Sequence, residues 1–122
     1  AFERYVSRPP FSTCDEEALR AYVNYGFRDH GDEVILKCRG EIEAQVFENS
    51  VTTIFDALST VNIPITVAGS SDQDGPAAIA PQIASQLPKG NFELYQDLTH
   101  FAPMENPSLI AEGIMQTLNK VL

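Results

Sequence analysis

His100 stands in the stretch Leu98-Thr99-His100-Phe101-Ala102-Pro103-Met104-Glu105-Asn106-Pro107, between a short apolar strand pattern and a long amphipathic helix pattern. An imidazole on such a loop can take up and return a proton, and few packing roles call for it. Two carboxylates, Asp72 and Asp74, follow an earlier strand pattern. In parallel α/β sheets, functional groups gather beyond the carboxyl ends of the strands. If the two strands are neighbours, an acid on one loop can meet the imidazole on the other. A carboxylate bonded to one ring nitrogen fixes the tautomer and leaves the other nitrogen as a base. Neither group attacks a substrate alone. No serine, cysteine or aspartate stands in a nucleophile-turn setting, so the chain carries part of a catalytic apparatus and lacks the rest.

The elements that must position these groups follow from hydrophobic periodicity. The pattern changes near Asn62. Before it, Thr13-Cys14-Asp15-Glu16 has capping-box form, and Leu19, Tyr22, Val23 and Phe27 follow at helical spacing. Residues 28–33 read as a polar turn and Val34-Ile35-Leu36 as a very short apolar run. Ile42, Val46 and Phe47 suggest a short helix, and Val51, Ile54, Phe55 and Leu58 form an apolar helical stripe. Beyond Asn62, Ile63-Pro64-Ile65-Thr66-Val67-Ala68-Gly69 is β-branched and nearly all apolar, as in a parallel strand buried on both faces. Gly75-Pro76 opens a helical segment whose regular part starts near Pro81, and Asn91–Tyr95 alternates as a second strand. Asn106 reads as an N-cap with Pro107 in the first helical position, and Ile110, Ile114, Leu118 and Val121 face one side of the last helix. A connection of about twenty residues through a helix implies parallel strands with a right-handed crossover. The fold class expected is therefore α/β, with residues 1–62 a helical and loop segment and residues 63–122 a βαβα unit.

Composition narrows the partners. Asp and Glu total 17 against 8 Lys and Arg, a formal charge of -9. The basic residues are scattered, which disfavours nucleic acid and anionic membrane. No apolar run approaches the roughly 18 residues of a membrane span. Cys14 and Cys38 make neither a disulfide framework nor a metal spacing, and unpaired thiols point to the cytoplasm. Ala1-Phe2-Glu3-Arg4-Tyr5 carries no initiator methionine and no signal-peptide core, and reads like the middle of a chain.

The order and spacing of the later motifs resemble the C-terminal end of the α/β-hydrolase fold family. That family carries G-x-x-D-x-x-x-P after its penultimate strand, matched here by Gly69-Ser70-Ser71-Asp72-Gln73-Asp74-Gly75-Pro76. A helix ending in Leu-Pro follows, matched by Leu87-Pro88, and then a loop around the catalytic histidine, matched by residues 99–107 with Thr99 in place of the common glycine. The resemblance implies that Asp72 is the triad acid, with Asp74 the alternative, and that His100 is general base and then general acid. It implies that residues 1–62 form a helical lid and the return to the core. It further implies an ester-like small-molecule substrate, contacted by Phe101, with no metal or organic cofactor. The family's G-x-S-x-G turn is missing, so the nucleophile belongs to an N-terminal part outside this chain, and the chain alone is expected to be inactive. Epoxide hydrolases, haloalkane dehalogenases, haloperoxidases and cofactor-free oxygenases share the fold, and a noncatalytic partner-binding α/β module is the rival from another class. Glu105 reads as a cap or loop partner, His30 as solvated, Ser70 and Ser71 as exposed loop residues. Tyr22, Tyr25 and Phe27 read as helix packing.

Overall fold

A computed structural model of the chain describes residues 1–50, 53–72 and 75–121. The chain is mixed α/β and forms two compact units, Ala1–Val51 and Thr52–Leu122. The pattern change near Asn62 thus falls inside the second unit.

In the first unit, helix α1 (Phe2–Val6) precedes helix α2 (Glu16–Gly26). The cap of α2 is Asp15, whose carboxylate accepts the Glu17 and Ala18 N–H groups at 2.9 and 3.0 Å. Thr13, expected as the cap, donates its hydroxyl to the Pro10 carbonyl instead. Asp15 wins because a carboxylate at the N-cap also meets the positive end of the helix dipole. Leu19 is fully buried, and Tyr5, Phe11, Tyr22 and Phe27 form a cluster of edge-on and tilted rings with centroids 4.8–6.1 Å apart. Tyr25, expected in the packing, is exposed. The segment 28–33 is largely strand. β1 (Phe27–His30) and β2 (Glu33–Leu36) pair antiparallel from Phe27↔Leu36 to His30↔Glu33. Gly31, at φ +64°, supplies the positive φ that a two-residue hairpin loop requires. Helix α3 (Gly40–Glu48) follows, with Ile42, Val46 and Phe47 exposed.

In the second unit, the stripe around Phe55 is a 3-10 helix over Thr53–Thr60 rather than an α-helix; Val51 lies outside the described residues. β3 (Ile65–Ser70) starts after Pro64, because proline cannot donate to the ladder. A 3-10 turn (Pro76–Ile79) leads into α4 (Ala80–Gln86), with Pro81 in its first turn. β4 (Gly90–Tyr95), α5 (Ala102–Glu105) and α6 (Pro107–Val121) complete the unit. The Asn106 side chain accepts the Leu109 N–H at 3.1 Å and so caps α6. Among the described residues no helix is long and apolar enough to cross a membrane.

β3 and β4 pair parallel, from Ile65↔Gly90 to Ser70↔Tyr95. Side chains alternate across a strand, so this register sorts twelve residues onto two faces. Ile65, Val67, Gly69, Gly90, Phe92 and Leu94 share one face. Thr66, Ala68, Ser70, Asn91, Glu93 and Tyr95 share the other. α4 lies against the first face through its buried Ala80 and Ala84. A Cβ at Gly69 would come within 2.9 Å of the Phe92 ring and 3.1 Å of the Ala80 Cβ. A Cβ at Gly90 would run into the Ala84 carbonyl oxygen and lie 2.8 Å from the Leu87 Cβ. The expectation of a strand packed by apolar side chains on both faces therefore holds for one face only. Because the obstruction at Gly90 is backbone, it cannot swing aside. Gly90→Ala is expected to lower stability by about 1–3 kcal/mol in urea unfolding. Gly31→Ala, which meets no atom within 4 Å, is expected to show only the smaller cost of its positive φ.

Candidate active site

The parallel register sends β3 and β4 in the same direction, so the loops after Ser70 and Tyr95 open at one end of the sheet. Asp72 leads the first of these loops and His100 the second. The Asp72 Oδ2 accepts the His100 backbone N–H at 2.9 Å. The two candidates are thus joined across 28 residues of sequence, through the main chain of His100 rather than through its ring. The imidazole is exposed and meets the Phe101 ring edge-on, with centroids 5.9 Å apart. Asp74 lies outside the described residues. Phe101 is half-buried.

Three consecutive N–H groups of the histidine loop end on side chains. Thr99 N–H donates to Glu105 Oε2 at 2.6 Å, His100 N–H to Asp72, and Phe101 N–H to Thr99 Oγ1 at 3.1 Å. The Thr99 hydroxyl in turn donates to Glu105 Oε1 at 2.9 Å. Glu105 sits at the end of α5, whose single turn brings its carboxylate back over the loop start. Charge-assisted bonds of this kind are the strong ones. They hold the His100 main chain from both sides and leave its side chain exposed.

The sheet face opposite α4 carries a further set of polar side chains that no motif marks. It borders a cavity of about 440 Å³ that runs from His100 along α6. Thr66 and Thr117 hydroxyls approach to 3.4 Å across it. The Tyr95 hydroxyl packs directly on Gly113 of α6, where a Cβ would also lie 3.4 Å from Glu93 Oε1. Ser70, read from sequence as an exposed loop residue, is the last residue of β3 and is only 9% exposed. Its Oγ has no hydrogen-bond partner among the described residues. The signal that could have found this face is the alternation of Thr66, Ala68 and Ser70 with Glu93 and Tyr95 in register.

Burial, the adjacent Glu93 carboxylate and a hydrogen bond to it raise the Tyr95 phenol above its ordinary value of 10.0. His30 is exposed on β1, and neither Cys14 nor Cys38 is in a disulfide. Among the described residues no three His, Cys, Asp or Glu side chains gather as a metal site. No known protein family, curated protein or solved structure matches the chain.

Two outcomes follow from this geometry. Glu105→Ala removes both anchors of Thr99, so the Thr99 and Phe101 amides should exchange with deuterium faster than the β4 amides, whose ladder is untouched. Ultraviolet titration at alkaline pH should show Tyr95 ionising above the ordinary tyrosine range, and Glu93→Gln should bring it down. Because the folded-state pKa is raised, the Tyr95 contribution to stability is complete below about pH 10 and declines as pH rises through the folded value.

Proposed function

We propose that this chain supplies the acid and the histidine of an α/β-hydrolase-type site that cleaves ester bonds. The observation that carries this reading is the Asp72–His100 bond formed beyond the carboxyl ends of two adjacent parallel strands. The G-x-x-D and histidine-loop motifs of the same segment support it. In this reading the nucleophile is a serine on a strand-to-helix turn outside this chain. His100 takes the serine hydroxyl proton as the oxygen adds to the ester carbonyl, then gives it to the departing alcohol. A water then loses its proton to His100 as it attacks the acyl-enzyme, and the released serine recovers that proton. Asp72 holds the loop through one carboxylate oxygen. In the assembled site it turns toward the imidazole and stabilises the imidazolium.

The test is kinetic, on a protein extended to include the sequence encoded before Ala1. A G-x-S-x-G turn there and turnover of p-nitrophenyl esters are expected. His100→Ala should reduce turnover by several orders of magnitude. Asp72→Asn retains a carbonyl that can accept the His100 N–H, so the loop stays anchored while the rate falls by ~10⁴. Residues 1–122 alone should show no triad-type turnover. Unchanged turnover in His100→Ala would remove the assignment.

A further inference from the structure

We propose that the cavity between the Thr66–Ser70 face of the sheet and α6 binds a small amphipathic molecule with a protonated amine head and an apolar tail. The proposal stands on the cavity and does not need the hydrolase reading. Its volume, about 440 Å³, is that of a small-molecule pocket. The sheet wall carries the polar residues Thr66, Ser70, Glu93 and Tyr95 beside Ala68 and Gly69. The helix wall is apolar: Ile110, Ile114 and Leu118 line it, with Ile114 and Leu118 about half exposed. An occupant must therefore present a polar side to the sheet and an apolar side to the helix.

The polar wall also states the sign of the head group. No Lys or Arg lines the cavity; its titratable lining residues are Glu93, Tyr95 and His100. Glu93 lies beside the Tyr95 phenol and meets no Lys or Arg in the wall, so its carboxylate keeps acceptor capacity. An anionic head beside Glu93 would meet a like charge, whereas an ammonium there would donate to it with charge assistance. Ser70 is a residue of the same wall whose Oγ is buried without a hydrogen-bond partner among the described residues.

Three probes of equal tail length separate the possibilities: hexylammonium, hexanol and hexanoate. Binding to the chain is followed by calorimetry and by the amide shifts of Ser70, Tyr95 and Gly113. The ammonium is expected to bind about tenfold tighter than the alcohol, and the carboxylate about tenfold weaker than the alcohol. Glu93→Gln should level the three affinities while retaining binding of the alcohol. Ala68→Leu places a larger side chain in the cavity and should abolish binding of all three, with near-UV circular dichroism confirming that the variant folds. Should Ala68→Leu not fold, the ranking of the probes and its response to Glu93→Gln decide the matter. Equal affinity for all three in the native protein, shifts spread over the whole unit, or an unchanged ranking in Glu93→Gln would overturn the proposal. So would no saturable binding, which would mean a cavity filled by solvent alone.

Discussion

Six residues of parallel pairing, Ile65–Ser70 against Gly90–Tyr95, determine where every other group of the second unit can stand. Parallel strands end at the same place, so the two loops that follow share an edge. The pairing also decides which side chains look at α4 and which at α6. Had Ile65 met Asn91 instead of Gly90, one strand would have turned its faces over relative to the other. Phe92 would then share a face with Ser70, and Tyr95 with Gly69. Gly90 guards against this slip, because only a residue without a Cβ can sit under the Ala84 carbonyl.

The two faces are built on opposite principles. Toward α4 the contact is close and apolar, made by glycine, alanine and one aromatic ring. Toward α6 the contact is held apart by polar side chains, and Gly113 lets the helix approach only where the Tyr95 hydroxyl props it. Thr66 pairs with Thr117 on that face, and Tyr95 lies beside Glu93. Ser70 finds no partner among the described residues, and a buried hydroxyl left unpaired costs about 1–3 kcal/mol of stability. A valine would pack there without that penalty. The polar choice at a strand end beside His100 fits a surface shaped to receive a molecule more than one shaped for a tight core.

Much of this unit is legible in the residues themselves. Pro64, Pro81 and Pro107 punctuate the elements where a missing N–H is tolerated, and the strand positions around Val67 and Phe92 follow from their alternation. The link between Asp72 and His100 is legible as proximity, because strand–helix–strand order brings their loops together. Its form is not. Whether a carboxylate reaches a ring or a main-chain N–H depends on a few ångströms of loop path, which no spacing encodes. The hairpin of the first unit was hidden for a related reason. Arg28, Asp29 and His30 look like turn residues by type, and only the positive φ of Gly31 turns them into a strand ending. Ser70 resembles a loop residue, small and polar after a glycine, while the ladder to Tyr95 carries the strand one residue further.

The parallel register also has a kinetic side. Every paired residue in β3 finds its partner about 25 positions along the chain, so no contact of this sheet is local. An antiparallel hairpin such as β1–β2 can zip outward from its turn; this sheet has no turn to start from. Closing that span carries a loop-closure cost that the hairpin does not, and the Asp72–His100 bond, which needs both loops in place, depends on it.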